Sequence, residues 1–194
     1  MMYLLALSVV FLTGLFLIRL LLKDKLNSPL IICLAGALGL GMVSQIIFYV
    51  QLVGGFFNPL IIIIISLLLL GIIWLNKGFQ VDVNCDAPWG FLIFPALACL
   101  LWLQASHFPM GGWDAWSCWN LKAKFIYFGH EQWKNVLDPI LWRSNTGYPL
   151  GLPCLNVWFW QWTGFSQSVL MFNTILLTLL TAGVLFFGLQ SFTL

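Results

Sequence analysis

Charged side chains are the scarcest feature of this sequence. They make up 7% of its 194 residues, while 61% of the residues are hydrophobic. A typical soluble domain carries about 25% charged residues, so the composition indicates an integral membrane protein. The formal net charge of +2 leaves no basic surface for a phosphate backbone, which excludes nucleic acid as a partner.

Metal-binding patterns are also scarce. The five cysteines form no CxxC pair, and the sequence has only two histidines. His107, His130 and Glu131 are too scattered for zinc-ligand spacing, and solvated surface roles explain them better. The residues themselves therefore predict no metal ligand.

Long apolar runs are what the sequence does contain. They predict an all-α, polytopic protein with about five to six transmembrane helices in a single membrane domain, 1–194. The predicted spans cover about residues 3–22, 30–53, 59–75, 89–104 and 169–189. A loop at 105–149 and a short apolar helix at 150–162 precede the last span. That short helix suits an interfacial or re-entrant segment as well as a short span, because about 20 residues are needed to cross the hydrocarbon core.

The positions of the basic residues predict the orientation. Counted over all loops, lysine and arginine are balanced between the two sides of the membrane. Basic residues close to span ends carry more weight, and Lys23, Lys25 and Lys77 lie there. We therefore expect these three on the cytoplasmic side of the plasma (inner) membrane and the 105–149 loop on the extracytoplasmic side.

The long loop is unusually rich in tryptophan. Five of the eleven tryptophans lie between positions 107 and 148, which argues against disorder. Residues 112–127 predict a helix entered through two glycines, and a 3.6-residue period puts Trp116, Trp119, Ala123 and Ile126 on one stripe. This pattern is typical of an interfacial amphipathic helix whose aromatic side chains face lipid.

Asp114 and two lysines are the candidates for chemistry in this loop. Asp114 lies where the helix starts, so it is either an N-terminal cap or a carboxylate available for catalysis. Lys122 and Lys124 suit phosphate oxygens, and they equally suit anchoring at the membrane surface. Tyr148 precedes Pro149, which predicts a stiff extended entry into the next apolar segment.

The order of these motifs resembles that of multi-span glycosyltransferases of the GT-C type, which take sugars from polyprenyl-phosphate carriers. The resemblance covers about residues 113–190. It rests on Gly-Trp-Asp-Ala-Trp at 112–116, Trp-Asn-Leu-Lys-Ala-Lys at 119–124 and Tyr-Pro-Leu-Gly-Leu-Pro at 148–153. That type includes the protein mannosyltransferases, the aminoarabinose transferases of lipid A and the Rgt-like glycosyltransferases. Because such enzymes usually continue through several more spans, the resemblance implies an N-terminal portion of one.

The resemblance also implies roles for individual residues. Asp114 would be the catalytic base of an inverting transfer, and Lys122 or Lys124 would stabilise the charge on the departing polyprenyl phosphate. The implied substrate-binding residues are Trp113, Trp116, Asn120, Lys122, Lys124 and Tyr148. Many relatives carry paired acidic residues here, whereas Asp114 is flanked by tryptophan and alanine. No metal ligand is therefore assigned, and a divalent metal stays open as a cofactor.

Two other functions fit the composition. A non-catalytic membrane subunit would bind membrane lipid or a partner membrane subunit through the aromatic loop. A small transporter fits less well, because the predicted spans lack the ionisable groups of an ion or substrate path. The expected partners are thus a polyprenyl-phosphate-linked sugar, membrane lipid and, in the alternative, a partner subunit.

Overall fold

The protein is described by a computed structural model that covers residues 1–21, 28–54 and 90–193. Within the interval 55–89 it describes Ile64, Leu68, Gly71 and Ile72 alone. The rest of the predicted span at 59–75 lies outside the described residues. So do the three lysines on which the predicted orientation depends. All regular secondary structure in the described ranges is helical.

Three helices have the length and hydropathy of membrane spans. Helix α1 covers Met2–Leu21, α2 covers Ser28–Leu52 and α6 covers Gln167–Thr193. Their most apolar windows have mean hydropathies of 2.5, 2.2 and 2.2. At 1.5 Å per residue, each is long enough for the about 30 Å of a hydrocarbon core. This confirms an all-helical chain with membrane-spanning character, and a total of five to six spans stays a prediction.

Helices α1 and α2 form an antiparallel pair with very close backbones. A Cβ added at Gly14 would overlap the carbonyl oxygen of Ala35, and one added at Gly39 would overlap that of Val10. Glycine is required at both positions because small residues let the backbones of membrane helices approach. Of two other glycines on α2, Gly36 is crowded by the Leu180 side chain, whereas Gly41 faces open space.

Helix α3, Gly90–His107, runs antiparallel to α6. Phe94 stacks on Phe187 with ring centroids 5.6 Å apart, and Trp102 lies 5.5 Å from Phe172. The chain that leaves α3 therefore returns to α6 at the same end of the bundle. We call this the loop end. Tyr3 of α1 also lies there, because its ring is 5.5 Å from that of Phe172.

The segment between α3 and α6 folds into short helices at the loop end. A π-helical segment, Ala115–Asn120, continues directly into α4, Leu121–Phe128. Two 3-10 helices follow at His130–Leu137 and Pro139–Ser144. Helix α5, Gly151–Thr163, then leads towards α6.

Helix α5 is the centre of the loop end. Its 13 residues give a length of about 20 Å, less than a hydrocarbon core. The side chains from Pro153 to Trp160 are all buried, and α5 packs against α1, α2, α4 and α6. A helix that is apolar on every side is stable only when enclosed in this way.

The π-helical turn changes which side chains share a face of the helix predicted at 112–127. Ala123 and Ile126 were expected to face lipid with the tryptophans, but both are buried in the core of the loop end. Trp116, on the expected stripe, is exposed. A π turn holds one extra residue, so it rotates the later part of the helix relative to a 3.6-residue period. An interfacial position for this helix stays a prediction.

Candidate functional site

Asp114 lies between two exposed tryptophans. Its backbone is helical, and its side chain makes no capping hydrogen bond, so the structure gives no support to the capping interpretation. Trp113 is 69% exposed and Trp116 is 45% exposed, with ring centroids 5.6 Å apart. The carboxylate is exposed as well. The first helical turn therefore carries one exposed acidic residue and two exposed aromatic rings.

A tight turn positions this group. Gly111 has a φ of +75°, and its N–H donates to the carbonyl of Phe108 at 2.8 Å. Glycine takes this left-handed conformation without the steric penalty of a side chain. The hydroxyl of Ser117 donates to the carbonyl of Trp113 at 2.8 Å and stabilises the first turn of the helix.

Lys122 forms a second cluster, separate from Asp114. Its side chain is fully buried, and its Nζ donates to the carbonyls of Asn145 at 2.6 Å and Tyr148 at 3.3 Å. The Asn145 amide donates to the sulfur of Cys118 at 3.2 Å, while Asn145 itself has a φ of +50°. Burial lowers the pKa of Lys122, and nearby Cys118 opposes that shift. The Lys122 side chain therefore links the turn at 145–148 to helix α4.

The remaining predicted site residues lie apart from Asp114. Tyr148 packs on Trp119 at 5.5 Å, and Lys124 lies 5.5 Å from the centre of the Phe165 ring. Because Lys122 and Lys124 follow Asp114 by eight and ten residues on one continuous helix, they lie about 12 and 15 Å farther along its axis. The structure brings the rings of Trp113 and Trp116 together in the same helical turn as Asp114, and both lysines have partners elsewhere.

Three buried asparagines connect the loop to the spans. Asn120 donates to the Met110 carbonyl at 2.8 Å and accepts from Asn156 at 3.3 Å. Asn156 accepts from Asn173 at 2.9 Å, and Asn173 accepts from the Tyr3 hydroxyl at 3.0 Å. The sequence motifs predicted Asn120 as a site residue and missed the other members. An amide in an apolar segment usually needs such partners, so Asn156 and Asn173 carried a usable signal.

A cavity of about 480 Å³ lies between α3, the 108–120 segment, α5 and α6. Its described lining is mainly apolar. The polar side chains in that lining are Gln104, Asn120, Asn156 and Thr174, and none of the described lining residues is charged. Gly112 and Ala115 contribute to the wall, so the turn that carries Asp114 borders the cavity.

The described residues offer no ligand set for a divalent metal. No group of three His, Cys, Asp or Glu side chains among them could hold an ion.

The sequence matches no known family, no curated protein and no solved structure.

Proposed function

We propose that this chain is a membrane glycosyltransferase-like protein that transfers a sugar from a polyprenyl-phosphate carrier to an acceptor at the loop end. The observation that carries the proposal is that Asp114 is exposed in the same helical turn as the exposed rings of Trp113 and Trp116. Aromatic rings offer flat apolar faces against which a sugar ring can pack. A carboxylate beside them is within reach of a hydroxyl whose proton must be removed.

The proposed reaction is a single displacement with inversion. Asp114 takes the proton of the acceptor hydroxyl, and the hydroxyl oxygen forms a bond to the anomeric carbon of the sugar. The bond between that carbon and the phosphate oxygen breaks, and its electron pair leaves with the polyprenyl phosphate. No other reactant is needed.

The phosphate is assigned to the helix N-terminus instead of the lysines. Lys122 is already bonded to the Asn145 and Tyr148 carbonyls, and Lys124 lies against the Phe165 ring, so both ammonium groups have partners away from Asp114. The first-turn N–H groups near Gly112 carry partial positive charge and suit phosphate oxygens. Lys122 then acts by holding the turn that presents Tyr148, through its bonds to the Asn145 and Tyr148 carbonyls.

The apolar carrier chain is assigned to the outer face of α3. Leu100 and Leu103 are exposed there, and Phe108 continues the apolar surface into the loop. Helix α3 packs against the apolar span α6, so this face is continuous with the region that a membrane would cover. In the proposed orientation, the loop end is on the extracytoplasmic side of the plasma membrane.

Substitution of Asp114 tests the proposal. Membranes containing the protein are supplied with polyprenyl-phosphate-linked radiolabelled hexoses, and transfer to endogenous acceptors is measured. Asp114→Asn keeps the size of the side chain and removes the base, so we expect a loss of about 100-fold or more in rate. Glu131→Gln, another exposed acidic position in the loop, is the matched control and should retain transfer. Equal transfer by wild type and Asp114→Asn would remove Asp114 from the mechanism.

A non-catalytic subunit is the second candidate. The observation that favours it is the burial of four polar side chains, those of Lys122, Asn120, Asn156 and Asn173. Their hydrogen bonds join parts of the fold to one another, and they do not surround Asp114. Exposed Trp113, Trp116 and Phe128 would then contact lipid or a partner membrane subunit. Wild-type membranes that transfer none of the supplied hexoses would favour this candidate.

A further inference from the structure

Two buried neutral amides form part of the polar lining of the cavity at the loop end. Asn120 and Asn156 line it, and they are 6% and 2% exposed. A side-chain amide has two N–H donors and two acceptor lone pairs. In the bonds formed among described residues, each of these amides donates one hydrogen and accepts one. Each amide therefore keeps one N–H and one acceptor lone pair that no bond among the described residues uses.

The charge and shape of the cavity restrict what that molecule can be. None of the described lining residues is charged, and a charged group without a partner is very costly to bury. The volume of about 480 Å³ falls within the range of about 300–1,000 Å³ that is usual for small-molecule sites. Apart from the amides, the walls include Leu101, Leu170 and Ile175, which suit a hydrocarbon chain.

The position of the cavity indicates how a ligand enters. Leu101 lies near the end of α3, and Leu170 and Ile175 lie at the start of the span α6. These residues mark the level at which the apolar helices meet the loop. We therefore expect a molecule that resides in the membrane to enter the cavity at this level.

We infer that this cavity binds a neutral membrane amphiphile of the long-chain alcohol class, with its hydroxyl at Asn120 and Asn156 and its hydrocarbon chain against α3 and α6. The hydroxyl accepts a hydrogen bond from one amide and donates one to the other, which uses the capacity that the asparagine chain leaves open. This binding site is separate from the proposed transferase site, because Asp114 does not contribute to the described lining of the cavity. A carrier phosphate has no cationic partner in that lining.

The experiment is photolabelling of the purified full chain in lipid nanodiscs with a diazirine-bearing C16 alcohol. Hexadecanol, hexadecane and hexadecyl phosphate are the competitors. We expect hexadecanol to block labelling. Hexadecane and hexadecyl phosphate should each compete at least about tenfold more weakly, the factor that corresponds to one hydrogen bond. Equal competition by hexadecyl phosphate or hexadecane would overturn the inference.

Two variants locate the effect. Asn156→Leu removes a cavity amide at similar size and should weaken labelling about tenfold. Asn173→Leu breaks the same hydrogen-bonded chain one step farther on and leaves both cavity amides, so it should label within about twofold of wild type, well below the effect of one lost hydrogen bond. Undiminished labelling of Asn156→Leu would overturn the inference.

Two further measurements do not depend on the folding of that variant. In the wild type, the label should map to peptides that contain Met110, Leu170 or Ile175, and labelling confined to other peptides would also overturn the inference. Asp114→Asn should retain alcohol labelling whether or not it transfers sugar. The outcome for this cavity is thus separate from the outcome for the proposed transferase.

Discussion

The close contact between α1 and α2 allows a stability prediction with an internal control. Substituting Gly39 by alanine places a methyl group against the Val10 carbonyl, and the two helices must part by about 1 Å to restore the 3.0 Å that real Cβ contacts require. Because the obstacle is backbone, side-chain rotation cannot relieve it. Substituting Gly41, two residues away on the same helix, places the methyl group in open space.

The difference between the two variants isolates the steric effect. Both replace a helical glycine by alanine, so both gain the same intrinsic term of about 0.5–1 kcal/mol. Overpacking costs typically about 1–3 kcal/mol, and an unyielding carbonyl favours the upper part of that range. We therefore expect Gly39→Ala to be less stable than Gly41→Ala by about 2–3 kcal/mol, with Gly41→Ala at or slightly above wild type.

The free energy of unfolding of each purified variant is measured in mixed detergent micelles, with helical circular dichroism as the signal. Unfolding slopes that agree among the three proteins are required, because the comparison assumes the same change in exposed surface. Equal stability of the two variants would refute the close packing of α1 on α2.

Two predictions concern the candidate site. Burial lowers the pKa of Lys122 in the folded protein, so the unfolded chain binds more protons between that lowered value and about 10.4. The unfolding free energy of wild type relative to Lys122→Met should therefore rise with pH in this window, by at most about 1.4 kcal/mol per pH unit, and a flat or falling difference would contradict the burial. Gly111→Ala forces a side chain into positive φ and onto Ala115, so it should cost about 1–2 kcal/mol in thermal stability and lower sugar transfer. Gly112→Ala, with open space around the added methyl group, should do neither, and equal effects of the two would refute the turn geometry.

Composition and hydropathy were sufficient to predict the helical membrane class. Runs of apolar residues such as those of α1 and α2 have one physical solution in lipid, because the backbone must satisfy its own hydrogen bonds. The sequence of α2 contains Gly36, Gly39 and Gly41, but it does not show which of these glycines face a neighbouring helix. Gly39 and Gly41 differ only in the side of the helix on which they lie, and that is decided by packing.

The environment of Lys122 could not be predicted from local pattern. A 3.6-residue period groups Lys122 with Cys118 and Asp114 on one polar stripe. The structure buries the lysine and the cysteine and leaves the aspartate exposed. The difference comes from Asn145, whose carbonyl accepts from Lys122 across 23 positions of sequence, and from the π turn that shifts the helical register. A 3.6-residue period reveals neither the distant hydrogen-bond partner nor the extra residue of the π turn.

The hydrogen bond between Tyr3 and Asn173 joins residues 170 positions apart. During synthesis, α1 enters the bilayer long before its partner on α6 leaves the ribosome. Until then the tryptophans of α5 lack the side chains of α6 that pack against this helix, and the nascent chain exposes apolar surface at the loop end. The loop end therefore cannot reach its final packing until α6 has been synthesised and has joined α1.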